Sequence, residues 1–549
     1  MEVLAVSRSE PRWQDVNGQK MFTSIVHEPL TSRSDYIELD ESGVVNNATA
    51  ARITLRYKGK PVLEHDIHLG DIWKIGEDVR LEVCGSRIPC EKVSWRCGQK
   101  VQWLQPLAAS GRVGVYLRVL TGGRVHPGDE VVCEHTSDDF VDVATVTRVA
   151  FDTSLKSRGT LDVLANHKLL LEMNRFLLRR KLTSMEDKLN QGKNVWKGWR
   201  GLRVDRAVEE GGDVKSFYLQ ADDGQPLANY LPGQFLSVRL PDGKIRSWTI
   251  SDWPARTDPP YYRISIKLAG ESSSWMHSEC TPGTVLQARS PAGRFVLDWT
   301  QKYSPRQIYV SAGIGITPVL PMMKAHDRHP NYRQVPALWI HVAKNSAGLP
   351  FRDEVPRFEG RPFRRMLFFT EPLPSDVLGA DYDFEGRPDP EALREVLAES
   401  YTWKPLVSRD YTMEGHMSFA YVCGPPAFEA AMRACLLPGG GVGIPPPFVH
   451  SELFSGSGAA VGGAGDVKRA IVRFKRSGKQ AAWVREEPLS LLELAEAAGL
   501  TPDYGCRVGA CDSCAARLVC GSVSGGRQLD GTVLTCSATP ASEVVEIDI

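Results

Sequence analysis

Cys506-Arg-Val-Gly-Ala-Cys511-Asp-Ser-Cys514, with Leu534-Thr-Cys536-Ser-Ala538 downstream, decides the fold of the last domain. Three cysteines in one short loop and a fourth on a distant segment are the ligand spacing of a 2Fe-2S cluster. Zinc ribbons use two short Cys pairs instead, and the loop here holds three. Gly505, Gly509 and Ala510 keep the loop small, so that backbone N–H groups can reach the cluster sulfurs. Cys520 falls outside the pattern and reads as a packed thiol. Upstream, Ser490 is placed to cap a helix, LLELAEAAG, that Gly499 ends.

Working outward, the stretch from Pro438 to Asp466 is rich in Gly, Pro and Ser and reads as an interdomain linker, so the iron-sulfur domain is expected at 467–549. Before it, apolar strands (QIYVSAG, ALWIHVA, FAYVCG) alternate with helix-length stretches, which predicts a parallel α/β domain over 301–437. Strand-like segments such as SFYLQA, QFLSVRL and YRISIKL predict an antiparallel β-barrel over 198–300. Helical spacing in LDVLANHKLLLEMNRFLLRRKL gives a helical segment over 151–197, after a β-rich domain at 1–150. At 549 residues the chain is too long for one core, which agrees with this multidomain reading.

Lys+Arg and Asp+Glu both total 66, so no global charge argues for nucleic acid or an anionic membrane as a partner. No apolar run is long enough to span a bilayer. The start, MEVLAVSRSEPRWQD, has no secretory pattern, and twelve cysteines in such a chain argue for reduced thiols and a cytoplasmic location.

Three segments carry nucleotide chemistry. Arg246-Ser-Trp248-Thr249 sets a guanidinium, an aromatic ring and a hydroxyl on one strand, and Gly270-Glu-Ser272-Ser273-Ser274 opens a helix with small residues suited to an anion. Ser311-Ala-Gly313-Ile-Gly315-Ile-Thr317-Pro318 lies between a predicted strand and a predicted helix, the context in which glycines let a pyrophosphate approach the backbone. Tyr421-Val-Cys423-Gly424-Pro425-Pro426 follows another strand. With these motifs, residues 199–549 resemble the ferredoxin-NADP-reductase superfamily, and the order flavin, nucleotide, ferredoxin resembles the phthalate dioxygenase reductase family, whose ferredoxin is of the plant type with a β-grasp fold.

That resemblance implies FMN or FAD held by Arg246, Trp248 (where the family has Tyr), Thr249, Gly270, Ser272, Ser273 and Ser274. It implies NADH or NADPH held by Gly313, Gly315, Thr317, Pro318, Cys423, Gly424 and Pro425, with Thr249 and Cys423 closest to the hydride path and Glu452 and Phe454 in the segment that closes over the flavin. The cluster ligands are Cys506, Cys511, Cys514 and Cys536.

Near the N-terminus, IVHEPL, LGDIW, RLEVCGSRIPCEKV and GRVGVYLRVLTGGRVHPGDEVV make residues 18–200 resemble the MOSC domain of the YiiM-like type. The resemblance implies Cys90 as a thiolate ligand of a molybdenum cofactor, with Arg87 and Lys92 holding the anionic group. Read alone, Cys90 is a buried thiol beside a proline turn. The stretch from Gly43 to Leu69 is shorter than in that family and offers Arg56, His65 and His68 as its basic side chains.

Together these readings imply an NAD(P)H-dependent oxidoreductase in which hydride enters at a flavin and leaves as single electrons through the cluster. The expected acceptor is molybdenum at Cys90, with a small, N-hydroxylated substrate. The competing expectation is delivery to a separate acceptor protein such as an oxygenase, with the N-terminal domain serving for docking or sulfur transfer.

Overall fold

The computed structural model describes residues 2–8, 12–16, 19–23, 32, 34, 36–40, 43–44, 51–57, 60–61, 64–89, 91–138, 141–151, 158–297, 306–332, 335–356, 358, 362–403, 411–454, 467–502, 504, 509, 514–526 and 531–549. The chain forms two units, Met1–Glu186 and Asp187–Ile549.

The first unit is built on an antiparallel sheet in the order Val115–Thr121, Val79–Ser86, Ile72–Ile75, Val131–His135. Val79, Leu81 and Val83 alternate inward along their strand, the period-two pattern of a sheet with one buried face. That face packs on Val143 and Val146 of the helix Val143–Phe151, on Leu161 and Leu164 of the helix Arg158–Ala165, and on Leu178 of the helix Glu172–Asn190.

The second unit begins with a six-stranded antiparallel sheet over 200–288, in the order Ile245–Thr249, Phe235–Arg239, Val285–Ala288, Arg200–Gly211, Val214–Ala221, Tyr262–Lys267. Its two outer strands meet through the bridge Ile250–Ile264, with Ser251 N–H donating to the Arg263 carbonyl at 2.7 Å, and this closes the sheet into a barrel. Next comes an all-parallel sheet in the order Phe384–Glu385, Phe363–Phe369, Ala337–Ala343, Arg306–Ala312, Ser418–Cys423, Val449–Glu452. Every residue of Arg306–Ala312 is buried, as a central parallel strand covered on both faces requires. One face (Ile308, Val310, Leu338, Ile340) packs on the helices Pro390–Ala398 and Pro426–Leu436. The other (Tyr309, Trp339, Tyr421) shares a core with the barrel through Phe295 and the helix Ile316–Arg328.

The last domain is a five-stranded mixed sheet, Lys479–Val484, Arg469–Phe474, Val544–Ile547, Ala515–Cys520, Thr532–Leu534, under the helix Leu491–Ala497. The predicted cap is present: Glu493 N–H donates to Ser490 Oγ at 3.2 Å while Ser490 N–H donates to the Glu493 carboxylate at 2.8 Å. Gly499 follows in the left-handed region at φ +71°.

The expected linker over 438–466 differs from the structure. Ile444 is fully buried, and Val449–Glu452 forms the sixth strand of the parallel sheet, paired with Ser418–Cys423. The glycines here make a tight turn: a side chain on Gly441 would stand 2.4 Å from the carbonyl oxygens of Cys435 and Leu437. Residues 455–466 lie outside the described set.

Candidate functional site

At the end of the last domain, Cys514 Sγ lies 3.2 Å from Cys536 Sγ, and Gly509 N–H donates to Cys536 Sγ at 3.2 Å. Two thiols that converge with a backbone donor aimed at one of them suit soft-metal ligation, where N–H···S contacts stabilise a charged thiolate. Gly509 sits at φ +74°, and a side chain there would meet Ser537 Oγ at 2.7 Å, so the close approach to Cys536 needs glycine. The donor set fits an iron-sulfur cluster on this observation. Cys506 and Cys511 lie outside the described residues.

In the barrel, Arg246, Trp248 and Thr249 lie on the strand Ile245–Thr249, paired antiparallel with Phe235–Arg239. Arg246 is exposed and donates one N–H to the Ile245 carbonyl at 2.9 Å; Trp248 is half-buried against the core, and Thr249 is buried. Lys244 Nζ bonds Glu271 Oε2 at 2.6 Å, which brings the start of this strand beside the start of the helix Glu271–Ser278. At that helix start the three serines differ. Ser273 Oγ accepts from Ala269 N–H (2.8 Å) and Gly270 N–H (2.9 Å) and shapes its own turn. Ser274 N–H closes on the Gly270 carbonyl at 2.8 Å. Ser272 Oγ is buried without a hydrogen-bond partner, an orphan that an incoming phosphate oxygen would satisfy. Arg246 and Ser272 are thus the side chains of this strand and this helix start that could hold a phosphate.

In the parallel sheet, the two predicted nicotinamide segments come together. A side chain on Gly315 would stand 2.2 Å from the Cys423 carbonyl oxygen, and one on Gly424 would stand 3.1 Å from Ala312 Cβ. Gly313, at φ +52°, has open space above it, as a backbone that receives a pyrophosphate requires. Thr317 Oγ1 donates to the Ile314 carbonyl at 2.9 Å, and Pro318 is buried in the first turn of the helix. Pro425 precedes the helix Pro426–Leu436 at its N-cap. Cys423 is fully buried, and burial pushes its thiol well above the ordinary range, with the Glu452 and Glu429 carboxylates adding to the effect.

Sequence reasoning missed a buried ion network behind these segments. Lys324 Nζ donates to Asp252 Oδ1 at 2.6 Å and to Glu354, and Arg263 donates to Glu354 Oε1 at 2.6 Å. The signal was a lone lysine in the apolar helix VLPMMKAH, since a buried lysine needs a partner. His341 was missed as well. It is fully buried beside Trp339, takes a 2.8 Å hydrogen bond with Ser311 Oγ, and is pulled down to about 3 by burial.

In the N-terminal unit, Arg87 N–H donates to the Gly114 carbonyl at 2.9 Å, and Gly114 N–H donates to Glu64 Oε1 at 3.1 Å. Cys90 lies outside the described residues. His65 is paired with Asp66 at 3.4 Å, and His68 N–H donates to Asp71 at 2.9 Å. Among the described residues no group of three or more His, Cys, Asp or Glu side chains is arranged to hold a metal ion. Among them, too, no helix is long and apolar enough to cross a membrane.

Comparison with known proteins agrees with this layout. The MOSC domain family matches residues 31–132, and the 2Fe-2S iron-sulfur cluster binding domain matches residues 474–541. A flavohemoprotein of Bacillus subtilis is 33% identical over 265 residues, 47% of this chain and 60% of that protein. One of Deinococcus radiodurans is 35% identical over 250 residues, 44% of this chain and 56% of that protein. The chain thus spans less than two thirds of these relatives. A solved phthalate dioxygenase reductase, described as a modular structure for electron transfer from pyridine nucleotides to [2Fe-2S], is 22% identical with a TM-score of 0.41, over 64% of this chain and 98% of that one. The matched MOSC and 2Fe-2S segments thus flank, in sequence, the antiparallel barrel and the parallel sheet.

Proposed function

We propose that this chain is an NAD(P)H-dependent flavin and iron-sulfur oxidoreductase whose final acceptor is a molybdenum cofactor in the MOSC domain, where a small N-hydroxylated substrate is reduced. The observation that carries the electron-transfer part is the convergence of Cys514 and Cys536 under the Gly509 N–H, in the same unit as the paired Gly315 and Cys423 segments.

In this reading the open backbone at Gly313 receives the nucleotide pyrophosphate, and Gly424 lets the nicotinamide approach Cys423. Arg246 and Ser272 hold the flavin phosphate, and Thr249 faces the ring edge. A bound flavin supplies the conversion of a two-electron hydride into single electrons, which the cluster accepts one at a time. Cys423 stays a neutral thiol and adds no charge beside the hydride path. For the MOSC domain the reading rests on Cys90 as ligand with Arg87 and Lys92 against the anionic cofactor. Reduction of N–OH to N–H takes two electrons and two protons and releases water; NAD(P)H supplies both electrons and one proton as hydride, and the second proton comes from solvent. A cytoplasmic location keeps these thiols reduced.

Two measurements on the full chain test this. Anaerobic NAD(P)H should bleach a flavin band and then a 2Fe-2S band, and metal analysis should return molybdenum at about one per chain. A protein with flavin and cluster but without molybdenum would move the acceptor to a separate partner and overturn the terminal step.

A further inference from the structure

We propose that Arg289 and Tyr504 form the contact that seats the 2Fe-2S domain on the flavin barrel while an electron crosses; this rests on the electron-transfer reading above. Arg289 follows the barrel strand Val285–Ala288, and Tyr504 stands two residues before Cys506. The Arg289 guanidinium lies 5.6 Å from the Tyr504 ring centre and 5.0 Å from that of Trp199, so it bridges a barrel indole and a phenol of the cluster domain. Arg239 covers Trp199 as well, at 4.1 Å. All three of Trp199, Arg289 and Tyr504 are half-buried. A planar, weakly hydrated guanidinium can lie on two aromatic faces at once, and partial desolvation strengthens its attraction to the ring quadrupoles.

On the barrel side the contact is tied to the flavin strand. Arg289 N–H donates to the Ser237 carbonyl at 2.9 Å, and Ser237 Oγ lies 3.3 Å from Ser247 Oγ, between Arg246 and Trp248. The route from the cluster loop to the flavin strand therefore passes through two side chains, Tyr504 and Arg289, and one hydrogen-bonded strand pair. A cation–π contact of this size is weak enough to release, which a one-electron carrier needs if it is to meet its next acceptor after loading.

The experiment is anaerobic stopped-flow reduction of the full chain by NAD(P)H, with flavin and cluster bands followed separately, in wild type, Arg289→Gln, Arg289→Lys, Tyr504→Leu and the Arg289→Gln/Tyr504→Leu double variant. Flavin bleaching should keep its wild-type rate throughout. Cluster bleaching should slow by about two- to fivefold in Arg289→Gln and in Tyr504→Leu, the factor that a half-exposed cation–π contact is worth. The double variant should be no slower than either single one, and Arg289→Lys, which keeps a cation, should recover most of the rate. Cluster reduction at the wild-type rate in either single variant, or additive losses in the double, overturns the contact. If Arg289→Gln fails to hold flavin, Tyr504→Leu decides from the cluster side. Wild-type protein in which NAD(P)H bleaches no flavin or no cluster overturns the functional reading instead.

Discussion

Lys324 Nζ reaches Asp252 Oδ1 at 2.6 Å, joining the first helix of the parallel sheet to the barrel at a point where both side chains are almost wholly buried. Glu354 and Arg263 extend the group, and Glu210 lies 4.0 Å from Arg263. Burial alone would raise the Asp252 and Glu354 carboxyls, but the Arg263 and Lys324 charges and their hydrogen bonds outweigh it, and both are held below the ordinary carboxylate range.

Because these carboxyls ionise lower in the fold than in the unfolded chain, their stabilisation is full above about pH 4 and is lost as pH falls through their folded values. Removing the lysine leaves Asp252 buried with one cation fewer. Lys324→Met should therefore cost about 3–5 kcal/mol near neutral pH and flatten the acid side of the stability curve. Denaturant unfolding of both proteins between pH 3 and pH 7, read as about a five-point series, checks this. An unchanged acid slope in the variant would show that the network does not set it.

Two glycines two residues apart in the nucleotide loop are constrained for different reasons. Gly315 has ordinary φ but no room, with the Cys423 carbonyl oxygen 2.2 Å from any side chain, whereas Gly313 has room but sits at φ +52°. Gly315→Ala should cost about 1–3 kcal/mol through overpacking, and Gly315→Asn more. Gly313→Ala should cost about 1–2 kcal/mol, and Gly313→Asn should recover part of that, since Asn tolerates the left-handed region. Both Asn variants should bind NAD(P)H more weakly while the cluster spectrum persists. Equal ranking of Ala and Asn at the two sites would refute the distinction.

The sequence made some of this legible and hid the rest for physical reasons. The convergence of Cys514 and Cys536 was legible because ligand chemistry fixes residue type and spacing together, and the strand before and helix after Gly313 and Gly315 because the apolar pattern on either side marked them. The edge strand Val449–Glu452 was hidden because Gly and Pro serve flexible linkers and tight turns alike; what decides is its pairing with Ser418–Cys423, a tertiary fact. The Lys324 network was hidden because its partners are far apart in sequence, Asp252 by 72 residues from Lys324 and Glu354 by 91 from Arg263. No local pattern announces such a pairing. Ser272 and Ser273 looked equivalent as letters, and only the turn geometry assigns one to the loop and leaves the other open.

Thiol reactivity offers a separate check on the packing. Burial pushes Cys84 and Cys280 up to about 11, and raises Cys423 and Cys435 too, while Cys97, Cys133 and Cys520 are exposed. At pH 8 a thiol with so high a value is about one part in a thousand thiolate, the reactive form. Native protein treated briefly with iodoacetamide should carry label on Cys97, Cys133 and Cys520 and none on Cys84, Cys280, Cys423 or Cys435, as read by peptide mass spectrometry. Early labelling of Cys423 would contradict its position under the nucleotide loop.

Cys90→Ala asks whether the two ends of the chain belong to one electron path. If Cys90 supplies the thiolate that holds molybdenum, its loss removes the terminal acceptor and leaves the barrel, the parallel sheet and the cluster domain untouched, because these fold in a different unit. Reduction of an artificial one-electron acceptor by NAD(P)H should then keep its wild-type rate, which controls for misfolding in the second unit. Bound molybdenum should disappear, and reduction of an N-hydroxylated substrate should fall to background with it, since a methyl group offers the metal no donor. Substitution by Ser should not rescue either readout, because a hydroxyl is a hard, protonated ligand at neutral pH where the site needs a soft thiolate. Substrate turnover that survives the substitution intact would make Cys90 an ordinary cysteine beside a proline turn, and the electrons would then have to leave from the cluster to a partner outside the chain.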